Sequence, residues 1–510
     1  MRGSVRTSWR YRAVMIVLIF CAMVPAVTSA ADTAEPVRGE VWREGLESDL
    51  RVEGLIVAYR PGTAMATGDV SAASAALPSP GGGVRLSVVE PLPLERMLVG
   101  VSPARLSKAE LVRVMELIAA DEGVRLVEPN LVFPPPGELG STGTARPAAG
   151  ARAPQLDDPN DPYYRDQWGI QRVAHTYVPQ AWDLGVSGLN QTIAVVDTGY
   201  IRHPDIANQL WDRGRNFIRD ARSSRVPAGP SDDAEDLGTW ADRGYCGVDQ
   251  YGDPVPSQKV PSSWHGSHVA GIAAAQANNA LGIAGIAYRA RILPVRVIGA
   301  CGADGADIEN GIVWAAGGPV PGGRVNAHPA DVINLSLGGE SACSPTMQAA
   351  LDYAAGQGIT VVIAAGNDNA DSVDYSPANC AGPKIVVGAL RADGTRWVDG
   401  LHQGSNWGAQ VDVVAPGADI PSTVGLSDVG PLRDPWNFGV RNQTGTSMAA
   451  PHVAAVAALV RERYPQSTPL QVKERITVGA EAMQQPGNCW DMGVSICGSG
   501  LVRAWNSVQP

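Results

Sequence analysis

The sequence predicts a three-layer α/β/α fold on a mostly parallel sheet, preceded by a small ferredoxin-like α+β domain. Three observations predict it. Near-continuous apolar runs at 193–196, 291–297, 331–335, 360–364 and 384–387 suit parallel strands buried on both faces. Ala-rich helical stretches begin near His265 and at 453–460, supplying helices to cover such a sheet. Ahead of them, strand-like and helical runs alternate between residue 31 and residue 133 in the order of a split βαβ pair.

The elements follow in chain order. Arg2, Arg6, Arg10 and Arg12 precede an apolar stretch, 13–27, and the small residues Thr28-Ser29-Ala30. This is the pattern of a secretory signal, 1–30, removed after Ala30; the stretch is short for a membrane span, so a soluble exported protein is expected. In 31–133, strands are predicted at 55–59, 84–89, 97–101 and 124–133, with a weak helix or loop at 65–83. A helix over 107–120 is expected to open on a capping box of Ser107 and Glu110. Residues 134–157 are rich in Pro, Gly, Ala and Ser, with no apolar period; they read as a linker where the chain is processed, between about 150 and 158. The main domain is then 158–510. Its acidic stretch 231–256 reads as a solvated loop, and 470–478 as the last helical segment.

Composition sets outer bounds. The 510 residues, 45% of them hydrophobic, can bury a large core, and a net charge of −11 argues against nucleic-acid and anionic-membrane partners. A monomer is expected. With Cys21 in the signal, six cysteines remain: Cys246, Cys301, Cys343, Cys380, Cys489 and Cys497. An even number in an exported chain points to disulfides, with fifteen pairings open; zinc is disfavoured because no close Cys-x-x-Cys pair exists.

The chemistry gathers on Gly445-Thr446-Ser447-Met448-Ala449-Ala450-Pro451-His452, which opens an Ala-rich helical run. Pro451 is expected in the first helical turn, where a missing N–H costs little. Ser447 then sits at a helix N-terminus, where free N–H groups and the peptide dipoles favour negative charge. Upstream, the strand-like run Thr192-Ile193-Ala194-Val195-Val196 delivers Asp197-Thr198-Gly199, and His265-Gly266-Ser267-His268-Val269-Ala270-Gly271 opens another helical run. Asp, His, Ser is one of the chain orders known for a serine triad. At these three motifs the sequence resembles the subtilisin-like serine proteases, the subtilases, and the resemblance extends from about residue 160 to 502.

That resemblance implies a subtilisin-like domain that cleaves proteins. Ser447 would be the nucleophile, His265 the general base and then acid, and Asp197 the residue that fixes the imidazole. Asn367, in Ala365-Gly366-Asn367-Asp368, matches the family's oxyanion asparagine. His268 reads as a packed structural histidine. Substrate is expected along Ser336, Leu337 and Gly338, with Ala365 and Gly366 lining the pocket for the residue before the cut and Asp368 at its mouth favouring a basic or polar side chain. Ser376-Pro377 resembles a position with a cis peptide. Segments around Asp161 and Asp205, with the loop 276–283, resemble a thermitase-like calcium site. Its implied ligands are the Asp161, Asp205 and Asn279 side chains and the Gln276, Leu281 and Ile283 carbonyls, all hard oxygens as Ca²⁺ requires. The family also implies disulfides 246–301 and 343–380; 489–497 follows from proximity. Residues 31–133 resemble a subtilase propeptide, an intramolecular inhibitor and folding aid.

Two other classes compete. A non-catalytic binder on the same scaffold is opposed by the intact Asp197, His265, Asn367 and Ser447 set. An α/β-hydrolase esterase would need Gly-x-Ser-x-Gly and a different chain order.

Overall fold

The structure is a computed structural model. It describes residues 38–510 except 104–105, 136–144, 148–157, 172–175, 228, 250–251, 433–436, 486 and 492. The signal segment, and most of the expected processing region, lie outside the described residues.

The small sheet forms from strands whose apolar side chains pack against two helices. Its antiparallel order is Val124–Phe133, Arg51–Tyr59, Arg96–Ser102, Arg85–Leu92, with Val70–Ala76 and Lys108–Ala119 as its helices, a ferredoxin-like arrangement. The capping box forms: Glu110 N–H donates to Ser107 Oγ at 3.3 Å and Ser107 N–H to the Glu110 carboxylate at 2.9 Å. Helix residues Leu111, Val114, Met115 and Ile118 face the sheet core. Segment 65–83 holds a 3-10 turn, Met65–Thr67, and the short helix Val70–Ala76, capped by Asp69.

The main sheet is parallel throughout, in the order Val413–Pro416, Ile385–Leu390, Thr360–Ala364, Val332–Leu335, Thr192–Asp197, Arg291–Arg296, Arg215–Asn216. Its central strands are buried along their whole length, which is why they read as unbroken apolar runs. Helices His265–Ala274 and Thr446–Arg463 pack as one pair, and Gly305–Ala315 and Pro345–Gly356 as another, giving three layers. The chain fills one side of Thr192–Asp197 with Arg291–Arg296, then crosses to Val332–Leu335 on the other. The crevice past the carboxyl ends of these central strands is therefore a topological switch point, where ligands bind in open α/β sheets.

Four expectations are corrected. Arg215–Asn216 and Val413–Pro416 join the sheet at its two edges and are not among the expected strands; the first is a two-residue polar pair that carries no apolar pattern. The last helix is Ala504–Val508, not 470–478; five residues carry little periodicity, and packing against Val178–Asp183 and Pro469–Gly479 supports it. Pro451 lies inside helix Thr446–Arg463, past its first turn. Within the acidic stretch, Asp236 is fully buried rather than solvated.

Candidate active site

Asp197 ends its strand with no exposed surface, and both carboxylate oxygens lie against His265 Nδ1, at 2.8 and 2.9 Å. A carboxylate only accepts, so the ring proton sits on Nδ1 and Nε2 is left as the basic nitrogen. His265 opens helix His265–Ala274, and the next residue must be small. A Cβ on Gly266 would meet the Gly199 carbonyl at 2.2 Å and Asp197 Oδ1 at 3.2 Å.

Ser447 is the second residue of Thr446–Arg463, the helix packed against that of His265. Its hydroxyl donates to the Ser336 carbonyl at 3.3 Å, and no hydrogen bond joins it to His265 in this structure. The interior proline explains a second contact. Residue 451 would ordinarily donate its N–H to the carbonyl four residues back, which is that of Ser447. Proline cannot, and the Ser336 hydroxyl donates to that freed carbonyl instead, at 2.9 Å. Pro451 thus lets the nucleophile's helix be tied to the end of strand Val332–Leu335.

Asn367 follows strand Thr360–Ala364. Its Oδ1 accepts from the Thr446 N–H at 2.8 Å and the Thr446 hydroxyl at 2.9 Å. With the oxygen held twice, the amide is oriented and Nδ2 has no partner among the described residues. Sequence reading missed Thr446; its place beside the nucleophile was the only signal.

Ser336, Leu337 and Gly338 run along one wall of a pocket of about 150 Å³, and Ala365, Gly366 and Asn367 along the other, with Ser447 at its edge. Gly339–Glu340 pairs with Tyr375–Ser376, and Ser376–Pro377 is cis. The disulfide Cys343–Cys380 closes just behind this pairing; Cys246–Cys301 and Cys489–Cys497 are also formed. Exposed Asp368 accepts a hydrogen bond from the Tyr375 hydroxyl at the pocket mouth. Pro134 and Pro135, just past the small sheet's last strand, line the same pocket.

Residues 188–492 match the subtilase family, peptidase S8. An extracellular protease of Xanthomonas campestris pv. campestris is 38% identical over 94% of this chain and 76% of its own length. The chain belongs to the subtilase family. An extracellular basic protease of Dichelobacter nodosus is 42% identical over 59% of this chain, which spans about half of that relative's length (48%). Among solved structures, a protease of Pseudoalteromonas arctica PAMC 21717 aligns with a TM-score of 0.61 at 37% identity, covering 69% of this chain and 98% of its own. Fervidolysin of Fervidobacterium pennivorans shares the fold over 93% of this chain and 63% of its own, at 23% identity and a TM-score of 0.59. The subtilase is thus a serine-type peptidase by family. Among the described residues no helix is long and apolar enough to cross a membrane.

The second histidine of helix His265–Ala274 does different work. His268 Nε2 bonds the Arg441 carbonyl at 3.0 Å, and burial pushes its pKa down to about 3, so the ring is neutral and structural.

The segments expected to hold calcium do converge. Asp161 accepts from the N–H groups of Asn278 and Asn279, at 2.8 and 3.3 Å. Asp205 accepts from Asn279 Nδ2 at 2.8 Å and the Ile283 N–H at 2.9 Å, and Asn279 Oδ1 accepts from the Leu281 N–H. The carbonyls of Gln276, Leu281 and Ile283 accept no hydrogen bond among the described residues. Burial pushes the Asp161 carboxyl up to about 6 and that of Asp205 up to about 8. Two buried carboxyls beside undonated carbonyls fit a hard divalent cation; among the described residues no group of three or more His, Cys, Asp and Glu that could hold a metal ion is found, here or elsewhere.

Proposed function

We propose that this chain is a secreted serine endopeptidase, made as a precursor, that hydrolyses peptide bonds with Asp197, His265, Ser447 and Asn367. The observation that carries the reading is the Asp197–His265 contact, with the serine at the tip of the helix packed against that of His265 and an oriented, unpartnered amide held by Thr446. Ser447 attacks the scissile carbonyl after a side-chain rotation towards His265 Nε2. His265 takes the proton and returns it to the leaving amine, while buried Asp197 holds the ring and stabilises its charged form. Asn367 Nδ2 and the Ser447 N–H donate to the oxyanion. Substrate adds as an extended strand along Ser336–Gly338. Export follows from the signal at 1–30 and agrees with relatives named as extracellular.

Residues 31–133 act as the propeptide and 134–157 as the processed linker. Support comes from the strand Val124–Phe133, which pairs at its end with Gly302–Asp304 and leads Pro134 and Pro135 into the pocket beside Ser447. The purified precursor should shorten itself and then cleave casein, with activity abolished by a fluorophosphonate. A protein that binds casein but never cuts it, under any maturation condition, would favour the binder.

Ca²⁺ is the proposed structural ion, held by Asp161, Asp205, Asn279 and the Gln276, Leu281 and Ile283 carbonyls. Its removal has a pH signature. In the metal-free protein the Asp205 carboxyl is raised, to about 8 against 3.8 ordinarily. Its protonated form stabilises the fold fully below pH about 4, and that contribution is lost as pH rises through about 8. Chelation should therefore lower Tm little near pH 5 and strongly near pH 8, by a stability change on the order of a few kcal/mol. Equal Tm shifts at both pH values, or none, would exclude this site.

A further inference from the structure

We propose that Asp236, acting with Arg296 on the two ends of Thr198, is a positioning residue that fixes the His265 helix against Asp197. The inference rests on the triad reading and adds to it a residue from a loop that composition marks as solvated.

The contacts form one directed chain. The Gly266 N–H, at the first turn of the histidine's helix, donates to Thr198 Oγ1 at 2.9 Å. The Thr198 hydroxyl donates in turn to Asp236 Oδ2 at 2.7 Å, and Asp236 Oδ1 accepts from the Gly238 N–H at 2.8 Å. Both carboxylate oxygens accept, as an ionised group requires. At the other end of Thr198, its carbonyl accepts from Arg296 Nε at 3.1 Å. Arg296 stands opposite Asp197 in the sheet, and its Nη1 and Nη2 have no hydrogen-bond partner among the described residues. No ion pair joins it to Asp236 among the described residues; the guanidinium charge acts at longer range, opposing the burial that raises the Asp236 carboxyl. Asp236 is delivered by strand-like pairing: Tyr200 N–H donates to the Ala234 carbonyl at 3.1 Å and Asp236 N–H to the Tyr200 carbonyl at 2.8 Å. The approach is close enough that a Cβ on Gly199 would sit 2.1 Å from the Ala234 oxygen.

Neighbouring acids behave differently. Asp232 and Asp233 pair with Arg215 and Arg213 at partly exposed positions, as ordinary loop charges do. Only Asp236 turns inward, onto the residue that follows Asp197. Without its acceptor, the Thr198 hydroxyl is free to rotate, the Gly266 N–H loses an ordered partner, and the imidazole is no longer held to the few-tenths-of-an-ångström tolerance that proton transfer needs.

The test compares Asp236→Ala, Asp236→Asn, Thr198→Val and Thr198→Ser, each matured by immobilised wild-type enzyme that is then removed, and normalised by active-site titration. Asp236→Ala and Thr198→Val should lower kcat by about 10- to 100-fold with KM within about twofold of wild type. Thr198→Ser, which keeps the hydroxyl, should restore kcat to near wild type, and Asp236→Asn should fall between. Should Asp236→Ala not fold, the two Thr198 variants decide alone. A kcat per titrated site unchanged in Thr198→Val, with only Tm lowered, would leave the network purely structural and overturn the proposal. If wild-type enzyme itself takes no fluorophosphonate on Ser447, the triad reading fails instead, so the two failures are distinguishable.

Discussion

A Ser447→Ala precursor should accumulate uncut and hydrolyse no casein. Self-processing and substrate hydrolysis share one nucleophile in this account, so a single hydroxyl controls both. The members of a triad act as a unit, and removing the nucleophile costs on the order of 10⁶-fold in turnover. The fold should survive. The residue's carbonyl holds Ser336 through the main chain and is untouched, while the lost hydroxyl made one hydrogen bond, at 3.3 Å, to the Ser336 carbonyl. Gel analysis of wild type and variant side by side reads the result; a variant that still shortens itself would move the nucleophile elsewhere.

The second large effect concerns the proposed propeptide's grip on the catalytic domain, which should weaken as pH rises. Glu128, on strand Val124–Phe133, is buried against the catalytic domain, where it accepts from the Thr346 N–H at 3.2 Å and from the Thr346 hydroxyl. The same Thr346 hydroxyl contacts Glu309 at 2.6 Å, and a single buried cation, Arg96, meets Glu309 at 2.8 Å. Two carboxyls thus share one guanidinium. Alongside them Arg219 faces Glu90, Asp304 and Asp307, so carboxyls outnumber cations in that cluster too. Burial first, and then the Glu309 charge, push the Glu128 carboxyl up to about 8, and burial raises Glu309 as well. On release, Glu128 returns to water and to the ordinary carboxylate range, near 4.5. The raised group favours association below that ordinary value, and the favour is lost as pH climbs through about 8. With the Ser447→Ala chain cut in its linker by wild-type enzyme, gel filtration should find the dissociation constant rising on the order of 10- to 100-fold between about pH 5 and pH 9. Glu128→Gln, which carries no charge at any pH, should flatten that dependence and keep the segment bound at the alkaline end. A wild-type dependence that is flat, or one that Glu128→Gln leaves intact, would exclude the pair as its source.

Much of this architecture was legible because its physics is local. Strand Val124–Phe133 and the Ser107–Glu110 capping box come from short-range pattern and backbone capping, and the buried parallel strands from apolar runs that solvent never interrupts. The Asp197, His265 and Ser447 motifs were legible for another reason: their Asp, His, Ser chain order and their resemblance to a known family. What stayed hidden was set by tertiary contact. Asp236 sits among surface acids in the chain and differs from them only by which way the fold turns it. Arg215–Asn216 pairs as a strand because Arg291–Arg296 is already there. Pro451 was read as a first-turn proline, whereas its effect is to free the Ser447 carbonyl for Ser336, a partner 111 residues away. Glu128 and Glu309 carry no mark of their meeting, since nothing local in the sequence shows that the strand and the helix holding them are buried almost along their whole length.

Mass-spectrometric mapping of a fluorophosphonate adduct on the mature enzyme, made for wild type and for His265→Ala matured in trans, reads directly whether Ser447 is a nucleophile activated by the imidazole. One adduct, on Ser447, is expected in the wild type and none in the variant over the same time. An adduct on a different residue, or undiminished labelling of Ser447 without the imidazole, would contradict the triad reading.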